Sequence, residues 1–237
     1  MRDVSLEPVT SVTPRPVRRA LLAQQWLSVA FLHWPLAPAL AAPLMPAGTV
    51  PDTFDGLTYV GLIGFRMRGI PYLSSFLETN VRLYSVDSEG RRGVVFLSME
   101  ASRLVPVLVA RATLGLPYVW SRMRLRREGD DVTYSTRRRW GTRAGSEMTI
   151  RVGSPVTDPT PLELFLTSRW GLHNRAWGRT MHLSNEHQPW PLHHASAESL
   201  TDGLIAAAGL PAPAGPPVSV LFSPGVAAVF GPTASGR

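Results

Sequence analysis

The sequence predicts an α+β protein in which mainly antiparallel strands form a bent sheet or a closed β-barrel with a few flanking helices. Two observations support this fold class. About ten short segments have the alternation or the β-branched composition of strands, and turn residues bound each of them. Helical periodicity is confined to a few short stretches, so strands outnumber helices and most neighbouring strands are expected to be antiparallel.

We expect one domain, because 237 residues favour a single sizeable β-rich domain over two small ones. The domain is expected to span residues 20–231. A tail of residues 1–19, rich in Pro, Thr, Ser and Val, is predicted to be disordered, and residues 232–237 form a short C-terminal tail.

The first part of the chain predicts strands separated by turns and one short helix. Residues 26–34 and 58–68 show the two-residue period of strands. In the second of these strands one face is apolar and the other ends in Arg66 and Arg68, so this other face is either solvated or an interior polar patch. Residues 38–44 predict a short helix with proline at its first position.

Residues 76–120 are the stretch around which the rest of the chain is organised. Residues 81–86 and 94–99 are predicted as paired strands on either side of a Ser-Glu-Gly turn. Ser102 is expected to cap a helix that runs to about residue 114. Gly115 occupies the left-handed position at which helices commonly end.

Residues 119–140 predict a hairpin whose two arms carry many arginines. Arg122, Arg124 and Arg126 share one face of the first arm, and residues 137–139 add three arginines on the second arm. Cationic side chains that meet across strands repel unless acids or anions lie between them. The arginine face is therefore either a solvated outer surface or an anion-attracting surface or barrel mouth.

The last third of the chain predicts further strands and two helices. A capping box at Thr160 starts the first helix, with proline at its first helical position. The predicted elements are a strand over residues 147–152, further strands or extended segments over 175–183 and 188–194, and helices over 161–170 and 199–208. A final hairpin of residues 218–223 and 226–230 is predicted around Pro224-Gly225.

Missing residue types and motifs exclude several kinds of chemistry. The chain has no cysteine, which excludes disulfides, thiolate metal ligands and cysteine nucleophiles. All 24 basic residues are arginine, and without lysine there is no imine chemistry and no pyridoxal phosphate attachment. No serine-hydrolase elbow, dinucleotide motif or P-loop is present. His182 and His187 with Glu186 come close to a zinc motif, but their spacing does not fit one helix face, so we expect no metal and no cofactor.

The net charge of +7 and the pI near 10.9 raise the question of a nucleic-acid partner. No recognition helix, zinc finger or RNA-binding signature accompanies the charge, so we expect no nucleic acid as partner. An arginine pair at residues 18–19 precedes a partly apolar stretch, as in export signals, but Gln24, His33 and Pro35 interrupt the stretch. We therefore expect a cytoplasmic protein without a membrane partner, and the sequence leaves the oligomeric state open.

Six short pieces of the chain carry a family resemblance. They are FLHWP at 31–35, DTFDG at 52–56, FRMRG at 65–69, ETNVR at 78–82, GLPY at 115–118 and PWPL at 189–192. In this order, over about residues 20–230, they resemble the DUF2071 family of YqjF-like proteins, which is itself similar to acetoacetate decarboxylase. The resemblance implies a bent sheet or barrel of the acetoacetate decarboxylase type with a pocket, but no established general activity comes with it.

The decarboxylase resemblance also bears on the loop after the helix. Acetoacetate decarboxylases carry a Gly-Arg-Glu-x-x-Gly-x-Pro-Lys-Lys-like run whose first lysine forms the imine. Arg111, Gly115 and Pro117 match this run, whereas Tyr118 replaces the imine lysine. The resemblance implies that the elbow is kept and the nucleophile is lost. Tyr118 is then either a hydroxyl donor or general acid, or simply a tyrosine of the core or rim.

Glu78, Asn80 and Arg82 lie two residues apart, so their side chains leave one face of a strand. Facing inward they would orient a substrate or take a proton, and facing outward they would form a solvated edge. The decarboxylase resemblance favours the inward arrangement, because those relatives place a carboxylate of this strand in the pocket. Glu100 follows the neighbouring strand and is expected to reach the same space.

The sequence thus predicts a small-molecule-binding protein, either an enzyme acting on an acidic or carbonyl-bearing substrate without Schiff-base chemistry, or a non-enzymatic ligand-binding or interaction module. A buried Glu78 beside other polar groups would favour the enzyme. The predicted catalytic residues are Glu78 and Tyr118, and the predicted ligand-binding residues are Arg66, Asn80, Arg82, Glu100, Arg111 and His187.

Overall fold

The computed structural model describes residues 5–69 and 75–233, and in these ranges twelve strands form one sheet. The strands are β1 (Leu22–Leu36), β2 (Thr49–Pro51), β3 (Thr58–Arg68), β4 (Phe76–Asp87), β5 (Arg92–Ala101), β6 (Tyr118–Glu128), β7 (Asp131–Arg138), β8 (Gly145–Pro155), β9 (Gly171–Ala176), β10 (Arg179–His187), β11 (His193–Asp202) and β12 (Ser219–Phe230). The helices are α1 (Pro38–Ala41), which continues into a 3₁₀ turn, α2 (Leu104–Leu114), α3 (Pro161–Thr167) and α4 (Leu204–Ala207).

The sheet bends until it closes on itself in two rings. Five strands, namely β12, β1, β3, β4 and β5, are common to both rings. One ring is completed by β9 and β10, and the other by β6, β7, β8 and β11. Within the described ranges only β5–β6 and β5–β9 pair in parallel. The prediction of a mainly antiparallel, bent sheet with few helices is therefore confirmed.

The shared strands are buried on both faces over much of their length, because each face lines a different ring. In β3, Ile63 belongs to a first core inside the ring completed by β9 and β10. Its neighbour Leu62 belongs to a second core inside the other ring. Both side chains are almost fully buried. The face of β3 that ends in Arg66 is thus a second core surface over most of its length, with only its end polar.

Gly64 allows β3 to lie close to the side chains of the second core. A Cβ atom at this position would lie 2.9 Å from Cδ1 of Tyr134 and would collide with Cε of Met148. Both neighbours are buried, and the Tyr134 hydroxyl donates a hydrogen bond to the carbonyl of Ser28 at 2.6 Å, which holds the ring in place.

We expect Gly64→Ala to lower the free energy of unfolding by about 1–3 kcal/mol, because the added methyl overpacks a filled core. Urea denaturation measures the difference. Gly215→Ala is the matched control, since nothing lies within 4 Å of a Cβ atom built there. Equal stability of the two variants would show that the second core yields without cost at Gly64.

In three places the chain forms other strands and helices than the sequence predicted. Residues 175–183 are not one strand, because Trp177 and Gly178 turn the chain between β9 and β10. Residues 199–202 end strand β11, and helix α4 begins only at Leu204, where the Asp202 carboxylate accepts hydrogen bonds from the first backbone N–H groups. β12 is one strand rather than a hairpin, because Gly225 has a φ of 135° and continues the pairing with β1.

The two ends of helix α2 give one confirmed and one wrong prediction. Gly115 ends the helix in the left-handed conformation, with φ 63°, as predicted. Ser102, however, is not its cap, because Arg103 holds the N-cap position and the Ser102 hydroxyl accepts a hydrogen bond from the backbone of Leu77. The serine therefore joins the loop to strand β4 instead.

The segment of residues 5–19, which was expected to belong to a disordered tail, lies against the domain in the structure. Glu7 accepts hydrogen bonds from Arg15 and Arg92, and the Trp170 indole donates to the carbonyl of Thr10 at 3.1 Å. The outer parts of the two expected tails, residues 1–4 and 234–237, lie outside the described residues. Among the residues that the structure does describe, no helix has the length and apolar character needed to cross a membrane.

Candidate functional site

The first core is not completely filled, and a cavity of about 120 Å³ remains at its centre. Its walls are mostly apolar and come mainly from the shared strands and from β9 and β10. Tyr118 of β6 and residues in or next to α2 and α3 complete them. Polar side chains interrupt these walls, namely Gln24, Glu78, Asn80, Arg82, Tyr118, Thr167, Arg169, Asn185 and His187. A mainly apolar cavity with a few convergent polar groups is the usual form of a small-molecule site.

Glu78 and Tyr118 form the central polar contact of the cavity. The Tyr118 hydroxyl donates a hydrogen bond of 2.8 Å to Oε2 of Glu78, and both side chains are buried. Two local features position Tyr118. It is the first residue of β6 and pairs with Met99 where β5 and β6 run in parallel. Arg111 donates a 2.8 Å hydrogen bond to its carbonyl.

Burial raises the pKa of Glu78 to about 7, although the hydrogen bonds from Tyr118 and Asn80 oppose the shift. Burial also raises the pKa of Tyr118 well above its ordinary value, and the neighbouring Glu78 adds to this effect. At neutral pH the tyrosine therefore keeps its proton, while the glutamate is close to half ionised. A carboxyl group in this state can both accept and donate a proton.

Asn80 leaves one hydrogen-bonding atom unused in the cavity wall. Its Nδ2 donates to Oε1 of Glu78 at 3.3 Å, whereas its Oδ1 is buried without a hydrogen-bond partner among the described residues. A buried polar atom without a partner costs free energy unless a ligand or water satisfies it. Asn80 is thus prepared to bind a polar group in the cavity.

Arg82 contributes a positive charge to the cavity. Its Nη2 donates to the carbonyl of Leu166 at 2.8 Å, and the guanidinium also donates to the Tyr84 hydroxyl. No carboxylate of a described residue lies within 4.0 Å of it. His33, on the other side of Tyr84, adds no charge, because burial and the nearby arginines hold its pKa well below the ordinary value.

Arg169 is a cavity residue that the sequence did not reveal. It is 95 % buried, its Nη1 donates to Asp52 at 2.5 Å, and its Nε donates to the carbonyl of Phe165 at 2.7 Å. Its Nη2 has no hydrogen-bond partner within the described part of the chain. Arg92 also donates to Asp52 at 2.5 Å, so two arginines share one buried carboxylate.

His187 forms part of the cavity wall, as its place beside Trp190 suggested. Its ring lies 4.5 Å from the ring of Trp170 and 4.8 Å from that of Trp190. Nδ1 lies 2.6 Å from the carbonyl of Gln188, which accepts the hydrogen bond, so Nδ1 carries the proton. Burial lowers the pKa of His187 to about 4, and the neutral ring therefore offers Nε2 as an acceptor.

Three predicted ligand-binding residues do not line the cavity. Glu100 lies directly opposite Thr79 across the β4–β5 pair, on the face turned away from the cavity, and binds Arg138 at 2.7 Å. Arg66 also points away from the cavity, because it alternates along β3 with the residues that line the cavity. Arg111 lies on the exposed side of α2 and supports the Tyr118 backbone instead.

Histidine, aspartate and glutamate side chains are the residues of this chain that could hold a metal ion. No group of three or more histidine, aspartate or glutamate side chains within residues 5–69 and 75–233 is arranged to hold a metal ion. The near-motif at His182 and His187 lies on strand β10, and His182 packs against His173 outside the cavity. The polar groups that line the cavity are carboxyl, phenol, hydroxyl, amide, guanidinium and imidazole groups.

Solved structures with the same fold include several enzymes. The enduracididine biosynthesis enzyme MppR with bound HEPES buffer has a TM-score of 0.60 and 17 % identity, with 95 % of this chain and 90 % of that chain covered. Its complex with pyruvate has a TM-score of 0.58 at 16 % identity, covering 92 % and 90 %. Acetoacetate decarboxylase from Legionella pneumophila has a TM-score of 0.58 at 16 % identity, covering 99 % and 98 %. These similarities establish an acetoacetate decarboxylase-like fold.

A closer relative in sequence is the uncharacterized protein YqjF of Bacillus subtilis (strain 168). It is 28 % identical over 208 residues, which cover 84 % of this chain and 86 % of YqjF. The family model for DUF2071, described as an uncharacterized conserved protein, matches residues 23–227. The resemblance predicted from the six sequence pieces is thereby confirmed, and the chain belongs to the DUF2071 family.

Proposed function

We propose that this protein binds a small molecule carrying a carboxylate and a carbonyl group, and exchanges a proton at the carbon atom next to the carbonyl. The observation that carries the proposal is the buried pair of Glu78 and Tyr118, joined at 2.8 Å in a cavity that Arg82 and Arg169 also line. Such a constellation combines an acid–base group, a hydroxyl donor and an anion-binding group.

The charges around the cavity favour an anionic ligand. Arg92 and Arg169 share the single carboxylate of Asp52, and Arg82 has no carboxylate within 4.0 Å among the described residues. Glu78 offsets this positive charge only in part, because burial raises its pKa to about 7. A ligand carboxylate would satisfy the free Nη2 of Arg169 and offset the cost of burying these cations.

The proton transfer follows from the same groups. The Glu78 carboxylate takes a proton from the carbon beside the carbonyl, and the electrons of that C–H bond move to form an enolate. The Tyr118 hydroxyl donates its hydrogen bond to the enolate oxygen. The proton on Glu78 then exchanges with water, and Glu78 returns a proton of solvent origin to the carbon atom, which re-forms the carbonyl compound. No imine takes part, because the chain has no lysine. The enzyme MppR, which has a similar fold, has been solved in complex with pyruvate, and this supports a small 2-oxo acid as the ligand.

Proton exchange in D₂O tests this proposal. Pyruvate, 2-oxobutanoate and acetoacetate are incubated with the protein, and loss of the C–H signals beside the carbonyl is followed by proton NMR. We expect exchange above the buffer rate for at least one of them, rising with pH through about 7 as Glu78 ionises. Glu78→Gln should lower the exchange rate by about 10²–10⁴-fold.

Two further variants separate the roles. Tyr118→Phe should slow exchange while the protein stays folded, because it removes one hydroxyl and little volume. The exposed Glu147→Gln is the control for loss of a carboxylate and should leave the rate unchanged. Binding of these acids without exchange would instead favour a non-enzymatic ligand-binding module, and full activity in Glu78→Gln would exclude glutamate as the base.

A further inference from the structure

The outer face of the β6–β7 hairpin carries two adjacent rows of side chains, one from each strand, which we call the arginine ribbon. The pairing register places Arg122 opposite Arg137, and the backbone N–H of Arg139 bonds to the carbonyl of Trp120, which extends the ribbon by one step. The ribbon consists of Trp120, Arg122, Arg124, Arg126, Thr133, Ser135, Arg137 and Arg139. Its five arginines are all exposed.

Protein carboxylates do not neutralise the arginine ribbon. Within residues 5–69 and 75–233, no aspartate or glutamate oxygen lies within 4.0 Å of its five guanidinium groups. Acids are nevertheless present nearby. On the neighbouring strand Arg151 pairs with Asp131 at 2.8 Å, and on the inner face of β7 Arg138 pairs with Glu100. Unpaired facing cations repel, so an external anion would stabilise this face.

The ribbon borders a depression that contains hydroxyl donors. Arg122, Arg124, Arg137 and Arg143 line a surface hollow of about 480 Å³ together with Ser135 and Thr201. One carboxylate, that of Glu147, also lines it and accepts a hydrogen bond from the Ser135 hydroxyl at 3.0 Å. The side chains that line this hollow are entirely different from those of the central cavity.

The spacing of the ribbon suits a chain of phosphates. Alternate residues of an antiparallel strand lie about 6.8 Å apart, so the three intervals between the four cross-strand pairs of the ribbon span about 20 Å. An extended single-stranded nucleic acid presents one charge per nucleotide along its backbone. At one end of the ribbon Trp140 is 56 % exposed, and its ring centroid lies 5.2 Å from that of Trp120 with the two ring planes at 72°. Its exposed ring area can stack against a base.

We propose that the arginine ribbon binds single-stranded nucleic acid, with phosphates along the arginines and a base on Trp140. The net charge of the chain raised the question of this partner, but no RNA-binding signature accompanies the charge. The pairing register places exposed arginines of both arms of the hairpin on one face. The ribbon is independent of the cavity, so this proposal does not rest on the proposed reaction.

Fluorescence anisotropy with a labelled DNA single strand of about 12 nucleotides tests the proposal, over salt concentrations from about 50 to about 200 mM. We expect saturable binding that weakens steeply with salt. Arg122→Gln/Arg137→Gln should lower the salt slope by about 2 and weaken binding on the order of a hundredfold at about 50 mM salt. Trp140→Ala should weaken it about fivefold or more through lost stacking.

The matched control is Arg175→Gln/Arg179→Gln, which removes two exposed arginines from the β9–β10 hairpin. Binding should be nearly unchanged in this control. Absence of saturable binding at the lowest salt concentration would overturn the proposal. So would an equal loss in the control, which would indicate diffuse charge attraction. Full competition by heparin combined with no effect of Trp140→Ala would also overturn it, in favour of binding to any polyanion.

Discussion

Asp52→Asn is expected to lower the free energy of unfolding by about 3–5 kcal/mol, because it leaves buried arginine charge without its carboxylate. Asp52 is 3 % exposed and accepts hydrogen bonds of 2.5 Å from both Arg92 and Arg169. Burial already lowers the pKa of Arg169 despite the neighbouring aspartate. Asparagine keeps the volume of the side chain, so the loss reports charge rather than packing.

Guanidinium chloride denaturation at pH 7 measures this loss. Asp131→Asn is the control, because its partner Arg151 is exposed and solvent screens the pair, so stability should change little. The double variant Asp52→Asn/Arg169→Met should recover part of the lost stability, since it also removes the stranded charge. If the two aspartate variants were equally stable, the buried charges would be solvated by water instead of by Asp52.

Glu78→Gln is expected to make the protein more stable than the wild type above pH 7. Burial raises the pKa of Glu78 in the folded state to about 7 from an ordinary value of 4.5. Between these values the folded state binds a proton that the unfolded state has released. Wild-type stability therefore falls as pH rises from about 4.5 to about 7, by on the order of 3 kcal/mol from this group.

Glutamine is neutral at every pH, so the variant lacks this loss. The stability difference between variant and wild type should be small near pH 4.5, grow towards pH 7 and stay constant above it. Urea denaturation at several pH values measures this difference. The pKa of Glu100 is also raised, but its contribution to the pH dependence of stability is the same in both proteins and cancels in the difference. The exposed Glu147→Gln should show no such trend. A wild type that stayed the more stable protein at pH 8 would mean that Glu78 ionises without cost.

Together with the expected loss of proton exchange, this outcome would give Glu78 opposite effects on stability and activity. Retention of an unfavourable buried charge is typical of functional sites rather than of residues that only support the fold. The two measurements are independent, because one needs no ligand and the other needs no denaturation. Their agreement would tie the proposed reaction to this single carboxyl group.

Local periodicity predicted much of the sheet but not the burial of its strands. The alternation of residues 58–68 located β3 at its observed bounds, Thr58–Arg68. It could not show that the second face meets another core, because the strands that cover it, β7 and β8, lie about 70 residues or more further along the chain. Val60, Leu62 and Gly64 on that face were the available signal, since strands buried on both faces are apolar on both.

About half of the polar residues of the candidate site were predicted from strand periodicity and from the family resemblance. Glu78, Asn80 and Arg82 share a face because a strand has a period of two, and the family resemblance added Tyr118. Arg169 and Asp52 were not predicted as partners, because they are 117 positions apart. In the sequence Arg169 fits the period of a helix and Asp52 fits a turn, so neither residue stood out. Glu100 was assigned to the cavity by proximity alone, and the pairing register turned it to the other face.

The position of β12 determines when the protein can complete its fold during synthesis. β12 pairs along β1, with Leu22 opposite Phe230, and it belongs to both rings. Neither ring can therefore close before the last strand has left the ribosome, and until then β1 presents an unpaired edge to other chains. Folding of both cores therefore waits for β12, and nascent chains of this protein are expected to depend on chaperones that shield β-strand edges.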